Sequence, residues 1–209
     1  MPKRKIFATA LLGSTLVGAG LLLTLSPTAY SADVDKLVEK CGECHGKDGN
    51  SDDPKVPNIA GFSVKYLEDT MADYKSGDRP GLKYKPEGGE ETDMNEIAKK
   101  LSDEEISALA GYYAKQTFKS HAAEQKTDPK LVKRGEKLFK KKCKKCHADF
   151  GTDPEDDAGI LGGQWMEYLR HQFEMFASGE REMPKKMKKK FKKVKKEDYE
   201  AIIHALGSK

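Results

Sequence analysis

The chain is poor in the residues that fill a protein interior: 37% of its 209 residues are apolar, 8% are aromatic and tryptophan occurs once. Part of that apolar share lies in one run, Ile6 to Leu25, so two ordinary hydrophobic cores in the remainder would be thin. Something other than side chains has to occupy the interior. Alternation of apolar and polar residues is also missing, which excludes half-buried strands and any βαβ unit. Cysteine is scarce too, and four residues allow at most two disulfides.

The first residues read as an export signal. "MPKRK" is a positive n-region, the apolar run follows, and "PTAYSAD" places small residues for cleavage after Ser31, so a signal peptide is expected over 1–31 and a mature chain from Ala32. An uncleaved anchor is the alternative. Either way the chain leaves the cytoplasm, which points to the periplasm and leaves no place for a nucleic-acid partner. An oxidising compartment would by default pair the cysteines as disulfides.

Their spacing argues otherwise. "CGECHGKDGN" starts at Cys41, and "CKKCHADFGT" starts 102 residues later at Cys143. The same offset carries Gly61 to Gly163, Tyr66 and Leu67 to Tyr168 and Leu169, Gly77 to Gly179, and Arg79 to Arg181, which marks a tandem duplication. Each half predicts three helices. The first carries Val34, Leu37, Val38 and Cys41 on one face, or begins at Asp128 and Pro129. The second buries Val64, Leu67, Met71 and Tyr74, or Met166, Leu169, Phe173 and Phe176, and ends at Gly77 or Gly179. The third opens on the capping box of Ser102 and Glu105 and turns Ile106, Leu109, Ala110 and Tyr113 inward, with Tyr199 to Leu206 as its partner. The expected fold is all-α, with domains at 32–119 and 131–209 joined by a polar linker, 120–130.

A Cys-x-x-Cys-His motif supplies two thiols for the vinyl groups of a haem and an adjacent imidazole for its iron. Cys41, Cys44, Cys143 and Cys146 are the expected attachment points of two covalently bound haem c groups, with His45 and His147 as axial ligands. A four-cysteine zinc site leaves both histidines without a role, and a thioredoxin-like pair lacks its fold context. The other ring nitrogens of His45 and His147 need backbone carbonyls, and Pro57 and Gly159 stand at suitable positions. Met94 is the candidate second ligand in the first half. In "MPKKMKKKF", Met187 and Phe191 repeat the spacing of Ile97 and Leu101, which makes Met187 a core residue and Met183 the ligand; Met187 is the alternative. His121, His171 and His204 do not recur under the offset and are demoted. A methionine opposite each histidine raises the potential and closes the iron, which favours electron transfer over catalysis. Trp165 is expected in the core rather than as a donor to the haem.

The segments "GKDGN", "PNIAG", "MNEIAKKLSDEEISALAGYY" and "GGQW" resemble the dihaem class I cytochromes c, in particular the cytochrome subunit of flavocytochrome c sulfide dehydrogenase and the closely related cytochrome c-four carriers. The resemblance implies two cytochrome c folds related by a pseudo-two-fold, haems close enough for fast exchange, and an FAD-bearing flavoprotein that oxidises sulfide, the cytochrome accepting electrons without being catalytic itself. A free carrier to a terminal oxidase is the other expectation. The basic stretch Lys185 to Lys196 departs from the family. Residues 32–129 carry 14 basic and 21 acidic side chains, net −7, and residues 130–209 carry 21 and 13, net +8. The lysines fit a solvated face, an acidic redox partner or a membrane surface.

Overall fold

The computed structural model describes residues 27–153 and 157–209; the expected export signal falls outside them up to residue 26. The first half holds α1 (Pro27–His45), α2 (Val64–Ser76), α3 (Met94–Lys99) and α4 (Asp103–Tyr113), and the second holds α5 (Pro129–Lys142), α6 (Met166–Ser178), α7 (Lys185–Phe191) and α8 (Tyr199–Gly207). Among the described residues there is no strand, only an isolated antiparallel bridge between Tyr84 and Thr92. The fold is all-α in two halves, as the periodicity predicts.

Local chemistry sets the helix ends. Ser63 caps α2 by accepting from the Tyr66 amide, and Gly77 closes it in the left-handed region at φ 89°. Its counterpart α6 closes on Gly179 at φ 86°, where a side chain would be strained. Both arms of the Ser102–Glu105 capping box form, a stabilisation of about 1 kcal/mol. Asp128 caps α5 with Pro129 in its first turn. The segment Met94–Lys99 is a separate short helix, with Asp93 as its cap, rather than a lead-in to α4.

Packing in each half brings the first helix against the last. Val38, Leu109 and Tyr113 form the buried centre of the first half, with Val34, Leu37, Cys41, Ile59, Leu67 and Leu101 only partly covered around it. The second core is larger: Phe139, Leu169, Val194, Ile202, Ile203 and Leu206. Gly135 lets α5 and α8 touch, because a methyl group there would collide with the Ala201 carbonyl oxygen and the Ala205 side chain. Two expected core positions differ. Val64 is 40% exposed, since the first turn of α2 projects beyond the core. On α6 the buried residues are Leu169, Gln172 and Met175, and the side-chain carbonyl of Gln172 accepts from Arg181 of the same half.

The halves are locked together by buried polar groups. The Asn58 amide donates to Gln164 Oε1 at 3.1 Å, and Gln164 Nε2 donates to the Asn58 carbonyl at 2.8 Å. Trp165 Nε1 donates to the Ser51 carbonyl at 2.8 Å, and its ring stacks on His121 at 3.7 Å. The segment between the halves is part of this lock: the Lys119 amide donates to Asn50, and His121 bonds Asn58 through Nε2.

The duplication changes register partway along. Gly61 donates to the Tyr113 carbonyl and Gly163 to the Leu206 carbonyl, both at 2.9 Å, so residues 61 and 163 correspond at 102 but 113 and 206 correspond at 93. At that second offset the buried Leu109, Ala110 and Tyr113 coincide with the buried Ile202, Ile203 and Leu206, and Leu101 coincides with Val194. The difference, nine residues, is the loop of the first half that carries the Tyr84–Thr92 bridge and is pinned by Tyr84 Oη donating to Asp53 at 2.8 Å.

Candidate functional site

His45 closes α1, and its ring is 8% exposed. Its Nδ1–H donates to the Pro57 carbonyl at 2.9 Å, the carbonyl the sequence singles out. Burial holds the imidazole below its usual pKa and the carbonyl bond opposes this only in part, so the neutral ring dominates with Nε2 left as a lone-pair donor. That is the tautomer an iron ligand requires.

In the second half His147 stands before a tight turn, Ala148–Gly151, in which Asp149 and Phe150 both take positive φ. Phe150 stacks on Phe139 at 5.1 Å, and Phe139 lies 6.5 Å from the His147 ring. The turn therefore places an aromatic wall beside the second motif.

No disulfide joins the four cysteines. Burial pushes Cys41 and Cys143 up to about 11 and raises Cys44 as well, the reverse of what a redox-active thiolate pair needs. Among the described residues no three of His, Cys, Asp and Glu converge as a metal site. His121 uses both ring nitrogens, on Glu124 and Asn58, and His204 accepts from the Asp128 amide, so neither is available to an iron.

The methionines divide by register. Met94 opens α3, half-buried. At the 93-residue offset its counterpart is Met187, inside α7. Met183 instead lines a 300 Å³ cavity with Phe176, Phe191, Val194 and Tyr199, and none of Cys143, Cys146 or His147 lines that cavity.

Two features of the first half and the boundary ask for a missing group. The hydroxyl of Tyr113 is buried beside the Cys41 thiol without a well-formed hydrogen bond, and Cys41 is ringed by half-covered apolar side chains. At the boundary Arg79 is 4% exposed, donates to Tyr168 Oη at 2.8 Å and lies over the Tyr74 ring. Burial works against its charge, and the phenols of Tyr74, Tyr168 and Tyr66 more than restore it. Burial and the nearby charge of Arg79 depress Arg181. Neither arginine is ion-paired among the described residues, so two like charges share a site that lacks an anion. A flat apolar plate with carboxylate arms suits both features. The repeat offset links Arg79 to Arg181 in the sequence, but only the fold shows that the two meet.

Residues 31–116 match the cytochrome c family model, and residues 130–204 match the model for cytochrome c oxidase, cbb3-type, subunit III. Cytochrome c4 of Stutzerimonas stutzeri is 37% identical over 179 residues, covering 77% of this chain and 81% of the relative. The cytochrome subunit of sulfide dehydrogenase of Chlorobaculum tepidum is 36% identical over 85 residues, 41% of this chain and 67% of that subunit. The crystal structure of reduced recombinant cytochrome c4 from Pseudomonas stutzeri superposes with a TM-score of 0.67 at 31% identity, covering 85% of this chain and 97% of that one.

Two helical halves, each with its own attachment motif, define a dihaem c-type cytochrome of class I. It carries two covalently bound haem c groups and serves in electron transfer. Within that class the chain belongs to the cytochrome c4 family.

Proposed function

We propose that the protein is a periplasmic carrier that takes single electrons from an oxidoreductase and passes them on, docking transiently rather than as a permanent subunit. The observation that carries this is the lack of an apolar docking face: among the described residues the only large hydrophobic side chains well exposed are Val64 and Leu82. A lasting subunit contact is large and substantially apolar. The relatives that span most of this chain are cytochromes c4. A second reading, the electron-accepting subunit of a flavocytochrome c sulfide dehydrogenase, is favoured by the sulfide dehydrogenase cytochrome subunit, whose likeness is confined to 41% of the chain.

In this reading the bound haem supplies a one-electron couple at each site. Cys41 and Cys44, and Cys143 and Cys146, hold it by thioether bonds. His45 is kept neutral and oriented by Pro57, and His147 takes the same role in the second half. Met94 and Met187 would supply the second ligand to each iron, the shared register favouring Met187 over the Met183 expected from spacing alone. Their thioethers favour the ferrous state over a second imidazole. Arg79 and Arg181 would take carboxylate arms at the boundary, as their burial without an ion pair among the described residues supports. With both axial positions filled by side chains, neither site has room for a substrate.

Purification from the periplasm, with flavin absorbance followed through the peak, tests the reading. A flavin-free dihaem protein at every ionic strength is expected. A flavoprotein that stays bound in high salt would establish the subunit instead.

A further inference from the structure

The two methionine-bearing helices differ in charge: α3 balances Glu96 with Lys99, whereas the only charged side chains of α7 are lysines. Around Met94 stand Glu90, Glu91, Asp93 and Glu96, offset by Lys99, Lys100 and by Lys83, which pairs with Asp93 at 2.9 Å and Glu96 at 2.6 Å. Around Met187 every charged side chain from Lys185 to Lys196 is a lysine, and all of them are exposed. Of these only Lys195 makes an ion pair among the described residues, with Glu197 at 3.4 Å.

Helix stability explains only part of the second cluster, since Lys188 to Lys190 fall in the last turn of α7, where cations suit the helix dipole. Lys140 to Lys142 end α5, where cations suit the helix dipole. Lys185 and Lys186 begin α7, the end where cations are disfavoured, and no side chain caps it. Lys185 and Lys186 also repel Lys188, Lys189 and Lys190 one turn on. A charge set against its own helix, unpaired and turned to solvent, has its complement outside the chain. Both large exposed hydrophobic residues, Val64 and Leu82, lie in the first half, so this face offers no apolar anchor for a bilayer.

We infer that the lysine face of α7 and the turn after it, Lys185 to Lys196, is the docking surface for an acidic redox protein, which exchanges electrons through the second haem. The inference rests on the proposed placing of the second haem beside α7.

The test uses the dihaem protein, reduced, mixed by stopped flow with an acidic blue-copper protein at ionic strengths from about 10 to 500 mM. Lys185→Glu/Lys186→Glu and Lys188→Glu/Lys189→Glu should each slow the second-order rate at low salt about tenfold or more and flatten its salt dependence. The corresponding arginine pairs should restore both. Lys130→Glu/Lys133→Glu, on exposed residues of α5, makes the same change in net charge and should leave the rate within about twofold. Equal slowing by the α5 pair, or no slowing by the α7 pairs, overturns the inference. So does loss of binding to phosphatidylserine vesicles in the α7 variants with unchanged rates to the copper protein, which would make lipid the occupant. Absorbance separates the two layers: a second haem whose methionine band survives Met187→Ala refutes its placing, whereas intact bands with lysine-independent rates refute the docking surface alone.

Discussion

Replacing Gln164 by leucine should disturb the iron ligand of the opposite half. Gln164 is fully buried, and both ends of its amide are spent on the backbone of Asn58, across the boundary. Asn58 is itself fully buried, bonded through its side chain to the Ser51 amide at 2.8 Å and the Lys119 carbonyl at 2.8 Å. The preceding residue, Pro57, offers the carbonyl that orients His45. Leucine keeps the volume and removes both partners. The Asn58 N–H and C=O are then buried unsatisfied, at about 1–3 kcal/mol each, or about 2–6 kcal/mol together. For a chain of this size about 2–4 °C is lost per kcal/mol, so the unfolding midpoint should fall on the order of 10 °C. Calorimetry measures the first consequence. Spectroelectrochemical titration measures the second, in which the first haem's potential moves, as the His45–Pro57 bond loosens, while the second haem's stays. A stability loss under about 1 kcal/mol, or a shift confined to the second haem, would refute the chain of contacts from Gln164 to His45.

Met94→Ala and Met187→Ala should each abolish one haem's share of the sulfur-to-iron charge-transfer band and lower its potential, while Met183→Ala, which enlarges a cavity away from the cysteines, should leave the band intact; absorbance of the three variants decides the ligand. Gly135→Ala should cost about 1–3 kcal/mol in thermal unfolding, because the added methyl meets the backbone of α8 rather than a movable side chain. Hydrogen bonds from Arg170, at 2.7 and 2.8 Å, hold the Glu200 carboxyl below its ordinary 4.5, against a weaker pull from burial. A depressed carboxylate stabilises above its unfolded pKa and ceases to as pH falls through the folded value. The stability gap between the wild type and Arg170→Leu should therefore be full above pH 4.5 and narrow below it, as read from denaturant midpoints against pH.

What could be read from the sequence depended on how local its cause was. The capping box at Ser102, the glycine ends of α2 and α6, the Asp128–Pro129 start and the four buried residues of α4 are each set within a few residues, and all appear where expected. Pro57 was accessible for the same reason, since only twelve residues separate it from His45. Trp165 proved a core residue, with its indole N–H used by Ser51 rather than left for the haem. Gln164 and Asn58 carry no such signal. They are 106 residues apart, and polar residues in loops are ordinarily solvated, so their complete burial follows only from how the halves meet.

The choice of second methionine depends on which register of the repeat is followed. Matching Met187 and Phe191 to Ile97 and Leu101 uses an offset of 90, which preserves spacing but ignores what the side chains pack against. Backbone bonds supply the missing constraint: Gly163 reaches Leu206 as Gly61 reaches Tyr113, which fixes α8 against α4 at 93. That register puts Val194, buried in the core, opposite Leu101, and moves the exposed Lys190 opposite Ile97. At this register an exposed lysine stands where the first half has a half-buried isoleucine, so the apolar pattern does not repeat. The same substitution of charge for apolar surface that hides the register also builds the lysine face of α7. If that face answers an acidic partner, the loss of a legible repeat and the gain of a docking surface are one change in the sequence.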